Sequence, residues 1–122
     1  IVFSGIKEIL DAFSKVVSRQ DTSMAEFIVI NGKIKDQEDA NGKTALMLAA
    51  ECGNLGLVKF LVSRGVNSQY RSSNRGPSGI GDCALSLAYK NKLLAGPVVE
   101  YLISEGAELS NSELMICNLH ST

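Results

Sequence analysis

Gly42-Lys43-Thr44-Ala45-Leu46-Met47-Leu48-Ala49-Ala50, followed by Val58-Lys59-Phe60-Leu61-Val62-Ser63-Arg64-Gly65, decides the fold, because a second stretch can be laid on it. That stretch is Gly81-Asp82-Cys83-Ala84-Leu85-Ser86-Leu87-Ala88-Tyr89, followed by Val99-Glu100-Tyr101-Leu102-Ile103-Ser104-Glu105-Gly106. A helical pair that recurs cannot bury its apolar stripe alone, so the copies stack into a solenoid. Such stacks present surfaces to partners more often than they carry reaction chemistry.

The units extend outward from this pair. Ile6, Ile9, Leu10, Phe13, Val16 and Val17 form an apolar stripe at helical spacing over residues 6–19. Gln20, Asp21 and Thr22 break it, and Ser23 with Glu26 reads as a capping box for a second short helix through Ala25, Phe27, Ile28, Val29 and Ile30. Asn31-Gly32 should end that helix, with Gly32 in the left-handed position. In the next unit Thr44 caps a helix ending near Gly53, and Asn54 caps one ending at Gly65. Gly32 and Gly65 are 33 residues apart, while Gly42 and Gly81 are 39 apart, so a six-residue insertion separates the second and third units. Pro97 should open the third unit's second helix. Ser110 and Glu113 form another capping box, before a last helix through Leu114, Met115, Ile116 and Leu119.

Asp39-Ala40-Asn41-Gly42-Lys43-Thr44-Ala45-Leu46 resembles the opening of an ankyrin repeat, in which a glycine turn leads into a Thr-Pro-Leu-His helix start. The likeness continues through Ala49-Ala50, Gly53, Val58, Leu61 and Gly65, and the period of 33 is that of one ankyrin unit. Ala45 and Met47 stand where Pro and His are usual, and Cys83-Ala84-Leu85-Ser86 keeps only the Leu. The resemblance implies an all-α solenoid of about three helix-turn-helix units plus a C-terminal capping helix. It forms one domain over 1–122, with units about 4–36, 37–70 and 77–109. Residues 69–78 are an inserted finger loop, and 110–122 a cap or truncated fourth unit.

Composition fits that reading. The chain has 122 residues, one domain by length, with 45% apolar residues, 6% aromatic and no Trp. A net charge of −1 gives no global signal for nucleic acid or membrane. No apolar run is long enough to span a bilayer, and the N-terminus lacks a signal peptide's order of regions. Three cysteines without metal-type spacing read as free thiols in a reducing compartment, so the expected location is cytoplasmic, with the nucleus an alternative. The chain opens on Ile1 and not Met, which suggests a fragment of something larger.

The chemistry-bearing motifs are weak. Gly76-Pro77-Ser78-Gly79-Ile80-Gly81 is followed by Asp82-Cys83, where a phosphate loop needs Lys-Ser/Thr, so it reads as a turn whose glycines permit positive φ. Cys117 and His120 are three apart but have no acid–base set around them. The cysteines and the single histidine do not form the close pairs of a structural zinc site. No enzyme activity, metal or cofactor is expected.

Charge is segregated. Residues 59–92 carry Lys59, Arg64, Arg71, Arg75, Lys90 and Lys92 against Asp82 alone, while 93–122 carry only Glu100, Glu105, Glu108 and Glu113. In the insertion, Tyr70, Arg71 and Arg75 are residue types enriched at binding hot spots. The expected function is binding of another protein, with an acidic surface, by a monomeric domain using its fingers and concave first-helix face. By resemblance the contact positions are Ala40, Asn41, Lys43, Glu51 and Cys52 in the second unit, and Gly79, Ile80, Asp82, Lys90 and Asn91 in the third. The alternative is a regulatory or targeting part of a larger enzyme, such as a kinase or ubiquitin-ligase subunit.

Overall fold

The apolar stripes become six helices in a computed structural model that describes residues 5–75, 81–90 and 92–107. In order they are α1 (Ile6–Ser18), α2 (Thr22–Gly32), α3 (Ala45–Glu51), α4 (Leu55–Ser63), α5 (Ala84–Lys90) and α6 (Lys92–Ser104). Each consecutive pair packs together, and the pairs stack: α3 lies between α1 and α5, and α4 between α2 and α6. Among the described residues there is no strand, only one antiparallel bridge, between Arg75 and Gly81. The final helix expected beyond Ser110 lies outside the described residues.

Burial follows the stacking. α1 buries Leu10, Phe13 and Val17 on one side, while Lys7, Glu8, Asp11 and Lys15 face solvent. α3 has neighbours on both sides and buries all of Ala45 to Ala50. Leu57, Val58 and Leu61 of α4 and Leu102 and Val98 of α6 complete one continuous apolar core.

Two helix starts form as the sequence implies. Thr44 Oγ1 accepts from the Met47 N–H at 3.3 Å, and Asn54 Oδ1 accepts from the Leu57 N–H at 3.1 Å. Asn54 also ties two units together, because its Nδ2 donates to Thr22 Oγ1 at 3.0 Å.

Four local expectations need correction. α2 starts earlier than a Ser23–Glu26 box allows: Asp21 is the cap, its Oδ1 accepting from the Met24 N–H at 3.2 Å. The left-handed residue at the end of α2 is Lys33 (φ 52), not Gly32, which stays helical. Gly32 is needed for space, since a Cβ there would come 2.8 Å from Ile9 Cγ2. Pro97 lies inside α6 and does not open it, because the helix already runs from Lys92. Gly81 likewise serves proximity: a Cβ on it would run into the Ser72 carbonyl oxygen.

The third unit lacks both Thr and His of the repeat start, and Ser86 compensates. Its Oγ accepts from the Cys83 N–H at 2.9 Å and lies 3.0 Å from Asp82 Oδ1, where it donates. This is the returning half of a capping box, made by a hydroxyl in place of a carboxylate.

Candidate functional site

Two fingers lie beside the helices, one in the stretch from Ile34 to Thr44 and the other with residues 66–75 and 81–83 described. The first turns tightly because Asp39 closes it. Its N–H donates to the Lys43 carbonyl at 2.8 Å, and its Oδ1 accepts from the Asn41 and Lys43 N–H groups at 2.8 and 2.9 Å. That places Ala40 and Asn41 exposed at the tip.

The second finger leans on the first. Glu38 Oε2 accepts from Tyr70 Oη at 2.8 Å and from the Ser73 N–H at 2.9 Å, and Ser73 Oγ donates to Glu38 Oε1 at 2.5 Å. Asn74 Nδ2 donates to the Asn41 carbonyl at 2.6 Å, and the Asn67 N–H to Asp36 Oδ1 at 2.9 Å. Within the second finger the Ser72 N–H donates to the Asp82 carbonyl at 2.8 Å, and Arg71 Nη1 to the Gly81 carbonyl at 3.2 Å. Arg75 is exposed. The bonds from Ser73 and then Tyr70 hold the Glu38 carboxyl below its ordinary value, and the same bond raises the Tyr70 phenol.

Beside the fingers, the helix pair α3 and α5 carries two ion pairs with opposite order. Lys43 Nζ meets Glu51 Oε1 and Oε2 at 2.9 and 3.0 Å, and Lys90 Nζ meets Asp82 Oδ1 at 2.9 Å. Lys43 corresponds to Asp82 and Glu51 to Lys90, both 39 residues apart, so the repeat keeps the pair and inverts its charges. Each pair spans the residue midway, buried Met47 in one unit and buried Ser86 in the other. All four side chains keep about a third of their surface exposed, so each pair is worth at most about 1 kcal/mol.

Of the residues expected at the site, Asn41, Lys43, Glu51, Tyr70, Arg71, Arg75 and Lys90 lie along this finger-and-helix edge. Gly79, Ile80 and Asn91 lie outside the described residues. Cys52 sits half-buried at the end of α3, its thiol pushed up by burial and by Glu51. The basic run is largely spent internally: besides Arg71 and Lys90, Lys59 lies over the Tyr101 ring and Arg64 over the Phe60 ring, each 5.6 Å from the centroid. Glu38 was not anticipated from the sequence, because its donors stand 32 and 35 residues away.

Among the described residues no group of three or more His, Cys, Asp or Glu side chains could hold a metal ion, and no helix is long and apolar enough to cross a membrane. Cys117 and His120 lie outside the described residues.

Comparison with known proteins agrees with the architecture. A family model for ankyrin repeats, in three copies, matches residues 13–113. No curated protein matches the chain. Among solved structures, similarity extends to a chain in the complex of a predatory endopeptidase from Bdellovibrio bacteriovorus with an immunity protein. The identity is 35% and the TM-score 0.67, with 80% of this chain and 47% of that chain covered. The present chain therefore spans less than half the length of that neighbour.

Proposed function

The chain belongs to the ankyrin-repeat family, whose repeats are protein-interaction modules, and we propose that it is a non-catalytic, monomeric module that binds another protein. The binding edge is formed by the two fingers and the exposed ends of α3 and α5. The observation that carries this is the finger pair itself. The second finger is tied to the first through Ser73 on Glu38 and Asn74 on the Asn41 carbonyl, which sets exposed Asn41 and Asn74 side by side with exposed Arg75 next in the chain. A preorganised edge loses little entropy on binding.

The partner contact is modestly electrostatic. Arg75 supplies the exposed positive charge, while Lys43, Glu51, Asp82 and Lys90 offer paired charges that a partner can engage at their outer sides. An enzyme is the partner class favoured, because the solved neighbour comes from a complex of an endopeptidase with an immunity protein.

The test is affinity capture with the chain as bait, followed by binding kinetics of Arg75→Glu and Arg71→Glu/Arg75→Glu variants. Arg75→Glu should weaken binding about threefold to tenfold, mainly through slower association at low salt. The double variant should lose more, because Arg71 also supports the Gly81 carbonyl. Unchanged affinity and unchanged salt dependence in both variants would remove the finger edge from the binding surface.

A further inference from the structure

We propose that Glu38 is the positioning residue of the second finger: it latches residues 70–74 onto the first finger and so fixes how Tyr70, Arg71 and Arg75 are presented. The proposal rests on the reading that this edge binds a partner, but the latch is a separate geometric claim.

The carboxylate is used on both oxygens. Oε2 receives the Tyr70 hydroxyl and the Ser73 amide, and Oε1 receives the Ser73 hydroxyl. No neutral side chain of the same length offers two acceptor oxygens at that spacing, and an ionised acceptor makes each bond shorter and stronger. Inside the second finger the Ser72 N–H donates to the Asp82 carbonyl, the Asn74 N–H to Ser72 Oγ, the Tyr70 N–H to the Asn67 carbonyl and Arg71 to the Gly81 carbonyl, beside the bridge between Arg75 and Gly81. These bonds shape segment 70–74 locally, while its ties to the first finger run through Glu38, with the Asn74 bond to Asn41 alongside. Gly42 permits that approach, since a Cβ there would come 2.7 Å from both Ser72 Oγ and Asn74 Nδ2.

The bonds from Ser73 and then Tyr70 are what chiefly lower the Glu38 pKa, with Lys7 of α1 adding to them, while Asp36 on its own finger acts on the Tyr70 phenol. Because the latched carboxyl is depressed below 4.5, the latch is at full strength above that value. It is lost as pH falls through the lower, latched value.

The experiment follows the Ser73 amide in the full chain by NMR and hydrogen exchange, in wild type and Glu38→Gln, with Ser73→Ala as a milder variant that keeps the amide reporter. In wild type the Ser73 amide should be protected near neutral pH, and its shift should titrate below 4.5. In Glu38→Gln the protection should drop about tenfold at neutral pH, the titration should vanish, and the amides of α3 and α5 should stay protected. Ser73→Ala should give a smaller loss. Equal Ser73 exchange in wild type and Glu38→Gln overturns the latch, and so does opening of α5 together with Ser73, which would make Glu38 a support of the stack. A variant that frees Ser73 yet binds the captured partner as tightly as wild type leaves the latch standing and removes this finger from the binding surface.

Discussion

Gln20 and Lys33 hold left-handed backbone, with φ of 59 and 52, while the second unit has Gly53 (φ +74) and Gly65 (φ +88) at its two turns. The first unit thus makes the same two turns with side-chain-bearing residues. A left-handed conformation costs such a residue about 1–2 kcal/mol, and glycine almost nothing. Lys33→Gly is therefore expected to raise the unfolding free energy by roughly 0.5–1 kcal/mol, after the extra chain entropy glycine brings to the unfolded state. Urea denaturation at constant slope measures it. The neighbouring Gly32 is not interchangeable with Lys33: Gly32→Ala drives a methyl against the β-branched Ile9 and should lower stability. The pattern Asn31-Gly32 reads as a helix stop because glycine favours left-handed backbone. What the pattern hides is a helix–helix approach, which depends on a residue in another element.

At the scale of elements, the helix starts that rest on one residue and its own next turn were legible. Thr44 and Asn54 each bond three residues ahead, so sequence alone exposes them. Asp21 won over Ser23 because starting α2 two residues sooner also brings Thr22 to Asn54 of the next unit. The α5 start was the least legible, since the cap comes from inside the helix. Ser86 is buried, and its hydroxyl satisfies the Cys83 N–H while reaching Asp82. Ser86→Ala leaves a buried donor unpaired and should cost about 1–3 kcal/mol. The loss should be confined to α5 and its neighbours, visible as faster hydrogen exchange at Cys83 and Leu87 before α1 is affected. An unchanged denaturation midpoint would mean that another acceptor or water replaces the hydroxyl.

At the scale of the whole molecule, the sequence period showed which helices stack, because apolar stripes and their spacing are local properties that add up along the chain. The finger contacts were not readable in the same way. Tyr70 and Arg71 look like free hot-spot residues in the sequence, and only the folded neighbour shows Tyr70 bound to Glu38 and Arg71 turned to the Gly81 carbonyl. The stacking also decides how a core defect spreads. α1 and α2 pack on the middle unit and on each other, whereas among the described residues neither packs on α5 or α6. The coupling is therefore nearest-neighbour, and the middle unit carries both interfaces. Leu61 of α4 and Leu10 of α1 are both fully buried, so Leu→Ala at either costs about 2–5 kcal/mol. Their consequences should differ. Leu61→Ala weakens the unit that joins the ends, and the chain should still unfold in one transition with an unchanged denaturant slope. Leu10→Ala weakens an end unit, so α1 and α2 should open first. Their amides should exchange faster while those of α5 keep their protection, and the apparent slope should fall. Uniform loss of protection in Leu10→Ala would show that the three units melt as one body and that the nearest-neighbour account fails for so short a stack.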